Sequence, residues 1–358
     1  MRTLRCILVL MFLISSNLLA TRDMVTFKSG KEVEVLITKE DSKEIRFKDL
    51  QTGASQKVPV EKIQTIFYED APPIYREAIA SLQAGSPDVA LRSLVSLVKQ
   101  GLPKTRLPWV KNYVSFYTAK SLAMWARKSN KESAPKLLEK AKSQLLKFEK
   151  TYASSRFIPE SIYLRGMCEL KAGRYDGGRK ILTDLSKKGD WPYWVAKAQA
   201  GIGESYLLEK DFETAEKHCV KQLKAGRFSG EVVEILSVIL IDKKMDAKKA
   251  LAFGKKLIGR GDRDVERAAH EMVGAAHVLL KNFEDGLMAL LRSRLLYSDS
   301  KTHGSRNNIY TAMAIKQLID SKPESYPGWD YNPKFASLYS ALRSSEKKVY
   351  SKIQKSFK

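Results

Sequence analysis

The clearest repeated unit of this 358-residue chain is Gly166-Met-Cys-Glu-Leu-Lys-Ala-Gly-Arg-Tyr-Asp-Gly-Gly178. Similar stretches begin at Gly203 and Gly274, and a weaker one begins at Val238. Self-similarity at a fixed period is the sequence signature of a repeat architecture. The chain therefore reads as an array of similar units.

The second small residue of each copy keeps nearly the same spacing. Gly178, Ala215, Ala250 and Gly286 are separated by 37, 35 and 36 residues. Two helices of a hairpin can approach closely only where such small side chains meet, so we predict helical pairs. The predicted packing positions are Gly166, Gly178, Gly203, Ala215, Ala250, Gly274 and Gly286.

These residues resemble the tetratricopeptide repeat (TPR). The family places a small residue midway along the first helix, an aromatic residue just after the turn and a small residue early in the second helix. The aromatic positions are matched by Tyr175, Phe212 and Phe283, whereas Val238 and Met245 depart from the pattern. The resemblance implies a mainly α-helical, TPR-like hairpin solenoid over residues 71–321, with about six pairs.

The resemblance also implies a binding groove, lined by the first helix of each pair. Counted from the glycines, the candidate groove residues are Tyr163, Lys171, Lys197, Glu204, Lys243 and Glu271. This mixed, mildly basic set suits an acidic or amphipathic protein or peptide partner. Each of these side chains is equally explicable as a solvated helix residue.

Residues 21–70 follow a different pattern. Val33, Val35 and Ile37 alternate with other residues, as do Val58 and Val60 around Pro59, and turns with glycine separate the runs. Such alternation predicts a small five-stranded antiparallel β barrel, similar to Sm-like or SH3-like barrels. We expect a docking or capping module, or a purely structural one.

The first twenty residues predict export. Basic Met1–Arg5 precedes an apolar run from Cys6 to Ile14 and a polar-to-small end at Ala20, the order of a secretory signal peptide. We expect cleavage after Ala20 and a soluble periplasmic or extracellular protein. No cysteine lies directly after the apolar run, at the position where a lipoprotein carries its lipid, which argues against a lipid anchor.

Two further features bear on the exported protein. The remaining cysteines, Cys168 and Cys219, lie in successive repeats and are expected as buried free thiols, with one bridge as the alternative. The stretch Tyr152–Ser161 resembles repeat junctions of TPR proteins in bacterial envelopes.

Charge is concentrated in the helical part. Residues 21–70 hold 9 Lys+Arg and 10 Asp+Glu, whereas the whole chain carries a formal charge of +23. A Pro/aromatic loop opens residues 322–358, and a basic amphipathic helix follows. The helix reads as a cap on the last repeat or as an element that binds an anionic surface. Its apolar stripe is Phe335, Leu338, Leu342, Val349, Ile353 and Phe357.

We find no pattern that supplies catalysis. The chain lacks C-x-x-C, P-loop and Gly-x-Ser-x-Gly motifs, and His270 and His277 do not have the spacing of His-Glu-x-x-His. His277 sits where another copy has Tyr206, a core position. We therefore expect no catalytic residue, metal or cofactor. Convergence of His270 and His277 with a carboxylate in a cleft would point instead to an enzyme.

The sequence as a whole predicts a non-enzymatic exported scaffold that mediates protein–protein interaction in the bacterial cell envelope. The alternative is charge-driven binding to an anionic envelope polymer or membrane surface. Export argues against nucleic acid as the partner.

Overall fold

The computed structural model describes residues 22–103, 109–130, 132–227, 229–297 and 305–321, and most of 337–355. These ranges are mainly helical, with one small sheet near the amino terminus. The contacts divide the chain into two compact units, with the boundary between Val195 and Ala196. The predicted signal peptide, residues 1–20, lies outside the described residues.

The sheet has five antiparallel strands in the order β4-β3-β2-β1-β5. In β1, Val25 pairs with Val33 on one side and with Ile66 on the other. The strands are β1 (Asp23–Phe27), β2 (Glu32–Glu40), β3 (Glu44–Asp49), β4 (Ser55–Pro59) and β5 (Ile63–Phe67).

The predicted closed barrel is wrong. Among the described strands, β4 pairs only with β3 and β5 only with β1, so both are edges. The 3₁₀ turn Val60–Lys62 separates them, and Val60 therefore does not extend β4. The sheet covers its apolar face with helices instead of closing on itself, since Val25 and Phe47 share one buried cluster with Leu94.

The helices of the first unit follow the sheet directly. They are α1 (Pro73–Gln83), α2 (Pro87–Gln100), α3 (Trp109–Lys128), α4 (Ala134–Thr151), α5 (Ile158–Lys171) and α6 (Tyr175–Ser186). Neighbours in sequence pack together, α3 against α4 and α5 against α6. Helix α7 (Pro192–Leu208) contains the boundary between the units.

The second unit continues the series of helices. Its members are α8 (Phe212–Lys224), α9 (Gly230–Ser237), α10 (Ala247–Leu257), α11 (Arg263–Leu279), α12 (Phe283–Leu296), α13 (Ser305–Ser321) and α14 (Ser344–Lys355). One buried cluster runs through this unit and includes Leu236, Met272 and Leu290. No helix in the described ranges has the length and apolar character needed to cross a membrane.

The four copies share one backbone register at the turn. The second helices begin at corresponding residues, Tyr175, Phe212, Ala247 and Phe283. Two positions earlier, each turn has a left-handed residue: Gly173, Lys210, Met245 and Lys281, with φ of 77°, 66°, 55° and 65°. In the third copy Ala247 thus occupies the aromatic position, and Met245 occupies the left-handed one.

The third copy departs from the others before its turn. Helix α9 continues as a π-helical segment, Val238–Lys243. A π turn holds an additional residue, so side chains on either side of it leave the ordinary helical register. This change coincides with Val238, which stands where the other copies have glycine.

The carboxyl-terminal helix α14 packs against α13. Leu342, Tyr350 and Ile353 are buried in the cluster of the second unit. Tyr350 was not part of the predicted stripe, and Phe335, Leu338 and Phe357 lie outside the described residues. Cys168 and Cys219 are buried free thiols, and burial raises the pKa of each to about 12.

Candidate partner-binding cleft

In the first unit, an aromatic face of α3 packs against the sheet. Trp109, Tyr113 and Phe116 recur at helical spacing and therefore share a face. Tyr68, just after β5, stacks on Trp109 with ring centroids 4.4 Å apart, and Phe157 stacks on Phe116 at 4.2 Å. Aromatic pairs of this geometry add to the stabilisation from burial alone.

Glu40, at the end of β2, has a buried carboxylate that contacts this aromatic face. Its carboxylate accepts hydrogen bonds from the Tyr68 and Tyr113 hydroxyls at 2.5 and 2.7 Å. Arg156 Nε lies 3.2 Å from Glu40 Oε1, and the two side chains are only 9% and 10% exposed. Burial, followed by the charge of Glu40, raises the pKa of Tyr68 far above its usual value.

The loop before α7 is tied to the β2–β3 turn of the same unit. Trp191 Nε1 donates a hydrogen bond to the Ser42 carbonyl oxygen at 3.2 Å. Lys43 Nζ lies 2.9 Å from Asp190 Oδ2, and this hydrogen bond raises the pKa of Lys43. These contacts hold the loop beside the sheet, so the space between them is framed by ordered elements.

That space is a cavity of about 500 Å³, which we call the cleft. This volume lies within the ~300–1,000 Å³ typical of ligand pockets. Five aromatic side chains line it: Tyr117, Phe157, Trp191, Tyr193 and Trp194. Its basic side chains are Lys28, Lys43, Lys120 and Arg156, and its acidic ones are Glu61, Glu160 and Asp190.

Ion pairs and ring contacts fix the cations of the cleft. Lys120 Nζ lies 2.7 Å from Glu160 Oε1. Burial disfavours the charged lysine, but Glu160 outweighs it and raises the pKa of Lys120. Lys28 Nζ stands 4.2 Å from the centroid of the Tyr193 ring, a cation–π contact. The cleft therefore combines positive charge with flat apolar surfaces.

The predicted groove residues lie elsewhere. Tyr163 is half-buried, its ring 5.7 Å from that of Trp194, and it shares a cavity of about 30 Å³ with Lys171. Lys197 pairs with Glu231. The other two retain some exposure, Glu204 being half-buried and Lys243 exposed. Tyr163 and Lys171 belong to the first unit, whereas Lys197, Glu204 and Lys243 belong to the second.

Glu271, the sixth predicted groove residue, belongs to an internal ionic network of the second unit. It is 7% exposed, and its carboxylate lies 3.6 Å from Arg306 Nη1 and 3.9 Å from Arg267 Nη1. Burial raises its pKa. Arg306 also holds Asp242 of the π segment, with Nε 2.9 Å from Oδ2. Glu271 therefore ties α11 to α13 and is not presented to solvent.

The predicted packing glycines stand at helix crossings. A Cβ on Gly166 would lie 2.8 Å from Leu182 Cδ2, and one on Gly274 would lie 3.0 Å from the carbonyl oxygen of Gly286. At Gly203 the nearest atom would be Cys219 Sγ at 3.3 Å. Two other predicted positions are fully buried alanines, Ala215 and Ala250.

The histidines are not brought together. His270 stacks on Tyr297 and lies 3.9 Å from Glu266, whereas His277 faces Asn282. Within the described ranges, no group of three His, Cys, Asp or Glu side chains is placed to hold a metal ion.

Sequence reasoning missed the cleft, although two signals mark it. The junction stretch Tyr152–Ser161 supplies Arg156, Phe157 and Glu160. Trp191-Pro-Tyr-Trp194 supplies three more aromatic rings, a local density of aromatic residues that helical packing alone does not require. What no local pattern shows is that the sheet meets both segments.

Known proteins resemble this chain only distantly. No protein-family model matches the sequence, and the search of curated proteins gives no match. The chain is similar to the apo form of RapI, with 14% identity, 78% of this chain and 84% of that chain covered, and a TM-score of 0.43.

Two further solved structures are tetratricopeptide repeat proteins. A TPR protein from Parabacteroides merdae ATCC 43184 has 10% identity, coverage of 74% of this chain and 95% of that one, and a TM-score of 0.40. The TPR domain of P58(IPK) has 13% identity, coverage of 76% and 89%, and a TM-score of 0.22. Our assignment of helical repeats to this chain is based on its own register at the turns.

Proposed function

We propose that the protein is a non-enzymatic, TPR-like scaffold that binds a protein partner in the bacterial cell envelope. The observation that carries the proposal is the cleft of the first unit. There α3 presents Tyr117 and Lys120, the junction before α5 presents Arg156 and Phe157, and the start of α7 presents Tyr193 and Trp194. Helical-repeat proteins characteristically offer the surfaces of their repeated helices to other proteins.

Export is the second part of the proposal and is supported by the sequence. The basic start, apolar run and small residue at Ala20 form the order of a secretory signal. The measurement is the amino-terminal sequence of the protein recovered from the periplasm or medium after expression of the whole chain. We expect it to begin at Thr21. A chain that stays in the cytoplasm with Met1 intact would remove the envelope from the proposal.

Partner binding is tested with the tagged chain from residue 21 in an envelope extract. We expect a discrete protein to remain bound in about 1 M NaCl, because the ~3 Å Debye length there screens exposed charge pairs but not apolar contact. Tyr193→Ala should reduce capture. Phe67→Ala is the matched control, since both rings are 44% exposed and Phe67 does not line the cleft.

The same experiment distinguishes the scaffold from the second candidate function, which is binding to an anionic polymer or membrane. A specific observation favours this candidate: Lys347, Lys348 and Lys355 of α14 line one shallow surface site. Charge-driven binding weakens steeply with salt. If lipid or polysaccharide alone is bound and is lost as salt rises, the charge-driven function replaces the scaffold.

A further inference from the structure

Arg156 is the most unusual group in the cleft. Its side chain is 9% exposed, and its single ion pair is the 3.2 Å approach of Nε to Glu40. In the part of the chain that the structure describes, its guanidinium makes no hydrogen bond of ordinary geometry, and Nε is a buried donor without an acceptor. Because Nε is closed to solvent, the capacity for an acceptor from outside lies with the Nη1 and Nη2 donors, which are not among the fully buried unpaired atoms of the described residues.

Aromatic rings hold the guanidinium in place. Its central carbon lies 4.5 Å from the Phe157 ring centroid and 5.3 Å from that of Tyr113. A ring stacked on the face of a planar guanidinium does not cover the edge at which its N–H donors point. Arg156 is thus oriented by its neighbours before any ligand arrives.

The charge around Arg156 favours an anion. The cleft is lined by four cations and three carboxylates, so one positive charge is in excess. Lys120, on α3, supplies a second cation, and Lys28 is held by the Tyr193 ring. Arginine with lysine nearby suits a carboxylate, because the guanidinium fork matches its two oxygen atoms.

The remaining wall favours a flat or apolar group beside that anion. Tyr193 is exposed, and Trp191 is fixed by its hydrogen bond to Ser42. The aliphatic side chains of Pro59, Val60 and Ile63 also line the cleft. The wall therefore fits an aromatic or large apolar side chain.

We propose that the cleft binds an acidic segment of the protein partner, with a carboxylate on Arg156 and Lys120 and an adjacent aromatic side chain against Tyr193 and Trp194. This inference rests on the proposed scaffold function and names the chemistry of its partner.

The test uses fluorescence anisotropy with the chain from residue 21 and labelled hexapeptides. The probe peptide has two Asp beside one Trp, and matched peptides carry Asn for Asp, Leu for Trp or phosphoserine for Asp. We expect the Asp–Trp peptide to bind about tenfold more tightly than the Asn peptide, the difference expected for a charge-assisted hydrogen bond. The Leu peptide should bind more weakly than the Trp peptide.

Variants locate the binding. Arg156→Lys keeps the charge beside Glu40 but removes the fork, and Lys120→Gln removes the second cation; each should weaken binding about tenfold. Lys147→Gln, at an exposed lysine of α4 outside the cleft, is the matched control and should bind as the unmodified chain does. If circular dichroism shows that Arg156→Lys is unfolded, Lys120→Gln and Tyr193→Ala decide the outcome.

Each contrary result overturns the inference. Equal binding of the Asp and Asn peptides, equal loss in Lys147→Gln, or no binding of any peptide excludes the carboxylate site. Preference for phosphoserine alone would assign the site to phosphate. A partner that Arg156→Lys still captures from extract would leave the scaffold standing without this cleft, whereas failure of the unmodified chain to capture one would count against the scaffold itself.

Discussion

Gly178 faces Gly166 where α6 crosses α5, and a Cβ on Gly178 would lie 3.1 Å from the Gly166 carbonyl oxygen and 2.7 Å from Leu170 Cγ. The backbone at Gly166 cannot move away from such a Cβ without separating the two helices. This contact explains why the repeat has a small residue on each helix, and it provides a matched pair of substitutions in one helix.

Gly178→Ala should destabilise the first unit, since overpacking of a tight site costs about 1–3 kcal/mol. Gly177→Ala, at the adjacent residue, meets no atom within 4 Å and should stabilise by about 0.4–1 kcal/mol. Urea unfolding followed by tryptophan fluorescence measures both, because Trp109, Trp125, Trp191 and Trp194 lie in this unit. Similar effects from the two alanines would contradict the crossing geometry.

Glu40→Gln should destabilise the same unit by about 3–5 kcal/mol, because it leaves the buried Arg156 without its counter-charge. The measurement is again urea unfolding. Glu77→Gln, at an exposed carboxylate of α1, is the control and should change the free energy of unfolding by no more than about 0.5 kcal/mol. The double variant Glu40→Gln/Arg156→Met keeps an oxygen acceptor for the Tyr68 and Tyr113 hydroxyls and removes both charges, so it should recover much of the loss. Additive losses would show that the pair is not coupled.

Met245→Gly should stabilise the second unit. Met245 has φ of 55° and is 49% exposed, so its side chain contributes little packing to offset the backbone strain. Left-handed backbone destabilises a residue with a Cβ by about 1–2 kcal/mol. Glycine removes this strain but loses about 0.5–1 kcal/mol, because its unfolded chain has more conformational freedom. Met245→Ala keeps the strain and is the control. Equal thermal midpoints for the two variants would argue against a strained turn.

Stability should fall as the pH drops from 7 to 5.5. His218 Nε2 lies 2.9 Å from the Gln199 carbonyl oxygen, and burial lowers the pKa of this histidine below its ordinary value of 6.5. Burial also lowers the pKa values of His270 and His277. The unfolded chain then binds more protons than the folded chain below about pH 6.5, so the free energy of unfolding decreases.

His218→Gln should flatten this dependence. Urea unfolding at pH 7.5 and 5.5, followed by circular dichroism, gives the difference in the free energy of unfolding for each chain. The carboxylates whose pKa is lowered by ion pairs, such as Glu216, lose their contribution only at lower pH, which separates the two effects. An unchanged pH dependence in the variant would mean that His218 titrates alike in both states.

The helical pairs could be predicted because their cause is local. Apolar spacing within each helix, small residues at each crossing and the turn between the helices all lie within about 35 residues of one another along the chain. The third copy shows the limit of prediction from local sequence. The repeat pattern assigned Met245 to the aromatic position, whereas in the structure Ala247 occupies that position. A π segment changes the helical register without leaving a reliable mark in the residues themselves.

The helical pairs, the strands of the sheet and the charge of the helical part could be predicted from local sequence, because each depends on neighbouring residues. Tertiary structure alone decided that the sheet stays open, that Glu40 is buried against Arg156 and that Trp191 binds the Ser42 carbonyl. Strand alternation records only which face is buried and not what covers it. The cleft follows from contacts more than a hundred residues apart, whose partners are chosen by the packing of whole elements.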